Sequence, residues 1–369
     1  MKRYDIAAYI WPAYTGDEPR TRIFWPEGMG EWQSVRSARA KFPGHEWPRH
    51  PHWGYVNEAD PFVMEMEIEA AVRHGVNVFI YDWYWYDRRP FLENCLNDGF
   101  LKAQNRGLMK FYLMWANHDA LALWDKRNAN DDTTVIWSGA QDRGEFERIM
   151  RRLIDRYFHL PEYYTIDGKP VFMIYDVPKL AQGLGGIEET RDALCWLREE
   201  CVRSGLPGIH LQFAMWNEST TNLSGVDKGR AVPASAFNTL GFDSCTHYQY
   251  VHFTDIDRDY SEVFKDVALE WQRLDLGMPL PYFPHVSMGW DNNPRFDEFR
   301  PGIMRNCTPE AIETALRAAK AYADAHPSQT PLITINSWNE WTESSYLEPD
   351  DLHGYAYLEK VQKVFMEEG

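Results

Sequence analysis

The chain has 369 residues, of which 44% are hydrophobic and 25% charged, the make-up of a globular protein long enough for a large core. A formal net charge of −17 argues against nucleic acid and anionic membrane surfaces as partners, and no run approaches the roughly 18 apolar residues of a membrane span. The excess is aromatic: 16 Trp, 20 Tyr and 19 Phe exceed what packing needs and point to a ring-stacking surface.

Eight short apolar or aromatic runs recur, with helical patterns between them. The first strand, Tyr4–Trp11, ends on Tyr9 and Trp11. An aromatic-rich insertion at about 12–59 follows and reads as an ordered lid or wall, since disordered segments lack such content. Its His45, His50 and His52 lack metal-ligand spacing, so no metal site is expected there. Asp60–His74 is a predicted helix stopped by Gly75, and Val76–Trp83 is the second strand. Asp82, Trp83, Tyr84, Trp85 and Tyr86 crowd its end. Pro90–Arg106 reads as the next helix, stopped by Gly107. The third strand, Lys110–Asn117, delivers Trp115, Asn117 and His118.

Further on, helix Glu145–Phe158 precedes strand Pro170–Asp176, and helix Glu188–Ser204 precedes strand His210–Asn217, which carries Trp216 and Asn217. Glu218 is either a further site carboxylate or a plain loop charge. Only Pro233–Leu240 offers a helix in the fifth crossover. Strand Phe242–Tyr250 presents Tyr248, and helix Ser261–Leu274 leads to strand Leu280–Val286. His285, Trp290 and Asp291 lie at or beyond that strand's end. Helix Pro309–His326, strand Leu332–Trp338 and helix His353–Glu367 complete the chain.

Strands alternating with helices eight times over predict a single (β/α)8 TIM barrel spanning residues 1–369. An open doubly wound sheet is the competitor, but no G-x-G-x-x-G follows the first strand. Connections from helix to strand are short. Those from strand to helix are long (12–59, 118–144, 218–232, 288–308), which places them on the C-terminal face where barrel active sites are built.

Sugars present apolar C–H faces and rings of hydroxyls, so their sites combine flat aromatics with amides and carboxylates. The strand ends repeat that mixture, and the last is the densest: Asn336, Trp338, Asn339, Glu340, Trp341 and Glu343. If this turn is helical, Glu340 and Glu343 share a face at roughly 5–6 Å between Cβ atoms. That is close to the roughly 5–5.5 Å carboxyl separation used for retaining glycosidic cleavage. Desolvation by Trp338 and Trp341 is expected to keep Glu343 protonated, with Glu340 ionised. There is no P-loop, nucleophile elbow or Cys–His pair. The acidic pairs Asp131-Asp132 and Asp350-Asp351 read as solvated, and no cofactor or metal is expected. The five cysteines form no C-x-x-C pair and read as reduced thiols of a cytoplasmic protein, with no signal peptide at the N-terminus.

NSWNEWTESSYLEP, together with FIYDWYWY (79–86), WANHD (115–119) and GWDNNPR (289–295), resembles the glycoside hydrolase family 99-like group, including its WbsX-type members often labelled O-antigen glycosyltransferases. The resemblance spans roughly the whole chain. It implies a barrel and a metal-independent retaining glycosidase, with Glu340 matching the carboxylate that acts on the sugar 2-OH and Glu343 the general acid/base. In the relatives this pair is thought to work through a 1,2-anhydro sugar. Thr342 and Ser344 stand where the mannan-cleaving relatives usually have His and Gly, so mannan specificity is not carried over. A glycosyltransferase and a non-catalytic carbohydrate-binding barrel remain the alternatives.

Overall fold

A computed structural model describes residues 4–16, 18–131, 133–216 and 234–367, with the side chains of 234–236 excepted. Eight parallel strands form a nearly closed barrel: β1 (Asp5–Ile10), β2 (Val78–Tyr86), β3 (Lys110–Trp115), β4 (Lys169–Ile174), β5 (His210–Met215), β6 (Ser244–His247), β7 (His285–Ser287) and β8 (Leu332–Asn336). Chain-order neighbours pair from β1 through β6, while β8 bridges β1 and β7. The gap between β6 and β7 closes through Cys245, whose N–H donates to the Pro281 carbonyl at 3.0 Å and whose carbonyl accepts from Phe283 at 2.9 Å. The run predicted at Leu280–Val286 thus splits into a bridging stretch and a short strand.

The strands are buried on both faces because side chains fill the barrel inside and helices cover it outside; all nine residues of β2 are buried. The interior is partly polar, with side-chain hydrogen bonds running across it. Tyr112 OH meets Gln212 at 3.0 Å, and Thr246 meets Thr334 at 2.7 Å. Covering helices occupy Pro61–Arg73, Arg143–Leu153, Ile187–Arg203, Tyr260–Gly277, Pro309–Ala325 and Ala356–Gln362, close to their predicted places. Ala234–Leu240 is helical as well.

The helix expected at Pro90–Arg106 is not a regular α-helix. Arg89–Phe91 folds back antiparallel on β2, and the chain then runs through a wide turn at Cys95–Gly99 and tight turns at Phe100–Lys102 and Arg106–Leu108. Gly99 packs so closely on the first loop that an added Cβ would lie 2.1 Å from the Glu58 carbonyl oxygen. Among the described residues no helix is long and apolar enough to cross a membrane. The loop at 218–232, with Asn217 and Glu218, lies outside the described residues.

Candidate active site

After β8 the chain makes a small hairpin in which Asn339–Glu340 pairs antiparallel with Ser345–Tyr346. The link between them is one tight helical turn, Trp341–Glu343, closed by Ser344 at φ 56°. Such a turn eclipses side chains three apart, so Glu340 and Glu343 emerge on one side. Ser344 holds this left-handed conformation while its hydroxyl accepts from the Trp47 indole at 3.0 Å and donates to the Asp291 carbonyl at 3.1 Å.

Arg295, on the turn Asn293–Arg295 after β7, reaches both glutamates. Its Nη1 donates to Glu343 Oε1 at 2.7 Å, its Nη2 to Glu340 Oε1 at 2.7 Å, and its Nε to Glu31 Oε1 at 2.9 Å. The planar guanidinium fork suits three fixed carboxylates better than an ammonium would. Glu31 arrives from the long first loop, where its N–H donates to the Ala13 carbonyl at 2.9 Å. The approach requires glycine at the preceding position: Gly30 has φ +59°, and a Cβ there would lie 1.8 Å from the Ala13 oxygen. The second oxygen of Glu31 accepts from the Trp11 indole.

These groups line a cleft at the barrel mouth. Trp11, Trp25, Tyr84 and Trp124 form one wall, with Trp25 and Trp124 stacked at 15° and Trp11 edge-on to both Tyr84 and Trp124. Asp82, His118, Tyr175 and Tyr248 line it with them. Tyr248 OH donates to Asp82 Oδ2 at 2.9 Å. Asp82 Oδ1 and Glu343 Oε2 are buried acceptors with no protein partner, so a bound molecule bearing hydroxyl donors would satisfy them.

Burial raises the proton affinity of Glu340, and the neighbouring Glu343 charge raises it further against the pull of Arg295. Burial also raises that of Glu343, again opposed by Arg295. Asp82 is pushed up chiefly by burial. Burial keeps His118 neutral by lowering its affinity. For Arg295, burial alone would weaken the charge, but Glu31, Glu343 and Glu340 more than offset it.

Of the predicted site residues, Trp11, Asp82, His118, Tyr248, Glu340 and Glu343 converge on this cleft. The others are placed elsewhere. Trp83 and Trp85 point outward from β2, where their indoles donate to Glu93 and Glu145 at 2.7 and 2.8 Å. Trp115 also faces the helix layer, against Phe146. Asn117 ties the loop after β3 to the backbone of Asp176, at 2.7 and 2.8 Å. Tyr9 and His285 sit in the barrel interior, bonded to the His247 carbonyl at 3.0 Å and to Thr334 at 2.9 Å. Asn336 is buried against Gln249 at 2.9 Å, and Trp216 stacks on His252 behind Tyr175. Asn217 lies outside the described residues.

Further corrections concern the turn itself and its surroundings. Trp338 and Trp341 do not desolvate Glu343, because their indoles point away to Glu67 and Glu348, and Asn339 clasps the Trp11 backbone. Trp290 and Asp291 face a neighbouring cleft. Asp291 is bound to His45 at 2.6 Å, with the imidazole side chain covered from solvent; Asp291 also accepts from Asn293 N–H at 3.0 Å and thereby orients the turn bearing Arg295. Asp350 is buried under Tyr346 OH at 2.6 Å instead of solvated.

Tyr84, grouped with its strand neighbours in the sequence, lines the cleft, and the residues missed were Trp25, Glu31, Met114, Ala116, Trp124 and Tyr175, along with the bridging position of Arg295. Period-2 alternation along β2 and β3 would have separated the cleft-facing Asp82, Tyr84 and Met114 from the outward Trp83, Trp85 and Trp115.

The sequence profile of the family described as Glycosyltransferase WbsX matches residues 6–361. Proteins called Uncharacterized protein WxcX, from two strains of Xanthomonas campestris pv. campestris, are 27% identical over 361 residues. The match covers 94% of this chain and 47% of theirs, so the chain spans about half the length of the curated relatives it matches. Two structures of the family 99 endo-alpha-mannosidase from Bacteroides thetaiotaomicron superpose with TM-scores of 0.58 and 0.61 at 15% identity, covering 98% of this chain and 96% of theirs. A protein described as glycoside hydrolase-like gives 0.64 at 13% identity, covering 99% and 94%. At these identities the likeness establishes a shared barrel.

Proposed function

Because this chain belongs to the Glycosyltransferase WbsX family and folds as a barrel shared with glycoside hydrolases, we propose that it is itself a retaining glycoside hydrolase acting on an oligo- or polysaccharide. The observation that carries this reading is the pair Glu340 and Glu343, bridged by one guanidinium beneath a wall of indoles. Burial and mutual repulsion favour a single proton on the pair, and Arg295 favours one charge. One carboxylic acid beside one carboxylate is the starting state the chemistry needs.

In this reading Glu343 gives its proton to the leaving oxygen as the glycosidic bond breaks, then takes one from the incoming water. Glu340 either attacks C1 or removes the 2-hydroxyl proton while O2 closes on C1, giving the 1,2-anhydro sugar implied by the resemblance. Both routes displace twice at C1 and retain the anomer. No metal ion takes part in either. Trp11, Tyr84 and Trp124 offer faces to the ring C–H bonds, and Asp82 accepts a hydroxyl.

A nucleotide-sugar transferase fits this cleft less well. Among the described residues, Glu31, Asp82, Glu340 and Glu343 face it against the single cation Arg295, which the three glutamates already engage. A diphosphate would meet like charge there. Incubation with defined glycans and, in parallel, with sugar nucleotides tests the reading. Release of reducing sugar from a glycan is expected. Transfer from a sugar nucleotide without hydrolysis of any glycan would refute it.

A further inference from the structure

Behind the turn that carries Glu340 lies a second group of acids that forms no part of the cleft lining. Glu58 ends the first loop, Glu67 sits on the helix Pro61–Arg73, and Glu348 follows the catalytic hairpin. All three are buried, and one oxygen from each lies within 4.8 Å of the other two. Each already accepts from protein donors, Glu58 through both of its oxygens. Asn339 Nδ2 donates to Glu58 at 2.8 Å, the Trp338 indole to Glu67 at 3.1 Å, the Trp341 indole to Glu348 at 2.5 Å, and the Cys95 thiol to Glu58 at 3.5 Å.

A separate observation points to something held between them. Oε1 of Glu67 and Oε1 of Glu348 are buried acceptors without any partner in the protein. Among the described residues no Lys, Arg or His forms an ion pair with any of the three. Three carboxylates removed from water without a compensating charge would be strongly unfavourable. A hard divalent cation binds carboxylate oxygens at roughly 2.0–2.6 Å, so oxygens on opposite sides of it lie up to roughly 5 Å apart. The observed spacing falls within that limit.

We propose that Glu58, Glu67 and Glu348 hold one oxygen-seeking divalent cation, of the calcium, magnesium or manganese class, beneath the catalytic turn. The ion draws together the first loop, the first covering helix and the segment after the hairpin. Through Asn339, Trp338 and Trp341 it braces the backbone on which Glu340 stands. It bridges no reacting group, and the site stands whatever chemistry Glu340 and Glu343 perform.

The test is elemental analysis of the full chain after equilibration with Ca²⁺, Mg²⁺, Mn²⁺ or Zn²⁺ in turn and removal of free ion. Thermal unfolding is measured with each ion and with EDTA. About one equivalent of a divalent ion is expected, with the midpoint raised by about 3 °C at a hundredfold excess over the dissociation constant. The Glu67→Gln/Glu348→Gln double variant keeps the shape and should lose both the equivalent and the shift. Wild-type protein that retains none of the four ions, with a midpoint indifferent to them and to EDTA, would overturn the proposal and leave protons as the occupants. A double variant that still binds a full equivalent would also overturn it. The wild-type stoichiometry decides the question even if the double variant does not fold.

Discussion

Glu31 Oε1 accepts a 2.9 Å hydrogen bond from Arg295 Nε, joining the loop after the first strand to the loop after the seventh. The contact places the long first insertion inside the candidate site, where it adds a third carboxylate around the guanidinium that bridges Glu340 and Glu343. How charge is shared in this group sets the first three predictions below.

Glu31→Gln preserves the volume of the side chain and an acceptor for Trp11. It removes a negative charge that raises the proton affinity of both Glu340 and Glu343. The pair then gives up its shared proton more easily. The basic limb of the pH–rate profile, which marks loss of the acid's proton, should move to lower pH, with kcat at the optimum changed less than tenfold. An unmoved limb would show that Glu31 does not act on the pair.

Arg295→Met leaves three buried carboxylates without their cation. Unfolding in urea at neutral pH should show a loss of about 3–5 kcal/mol. The sign of the pH dependence follows from the raised folded-state affinities. Below the ordinary glutamate value of 4.5 folded and unfolded chains are both protonated, and the penalty is small. As pH rises past it the unfolded chain ionises freely while the folded one resists, so the loss grows. Equal loss at pH 4 and pH 8 would contradict the assigned electrostatics.

Glu343→Gln removes the proton donor and spares Glu340. Hydrolysis of glycosides with poor leaving groups should fall by about 10³-fold or more, and that of activated aryl glycosides by far less. Comparison of kcat/KM on the two classes measures this. Equal loss on both would remove the acid role from Glu343.

The rings divide into those that face the cleft and those that do not. Trp124→Ala should raise KM about tenfold with little change in stability, since this half-buried ring forms part of the cleft wall. Trp85→Phe should cost about 2 kcal/mol by stripping an indole donor from Glu145 and shrinking the ring beneath Arg148 and Arg152, with KM unchanged. Denaturant titration alongside initial-rate kinetics separates the two. A Trp85 variant with altered KM would place that ring in the binding surface after all.

Much of this architecture was legible before the fold was known, for reasons that can be named. The barrel was written in recurring β-branched runs and in the contrast between long and short connections. Glu340 and Glu343 stood out because two acids three apart leave a buried strand. Trp83 and Trp85 mislead because an aromatic run looks like one surface, although a strand turns alternate residues to opposite sides. Glu31, Trp25 and Trp124 come from loops whose path depends on distant contacts, such as the close approach of Gly30 to Ala13, and no local pattern records those. The helix expected at Pro90–Arg106 failed because the chain first folds back on β2 through Arg89–Phe91. The bridging role of Arg295 required two carboxylates from another loop to be in place.

The decisive observation is the anomer first released from a defined oligosaccharide, followed by proton NMR before mutarotation sets in. Paired acids joined by Arg295 predict a product with the anomeric configuration of the bond that was cut, and no such product from Glu340→Gln on an unactivated substrate. Initial release of the opposite anomer, or undiminished turnover by the Glu340 variant, would contradict the account.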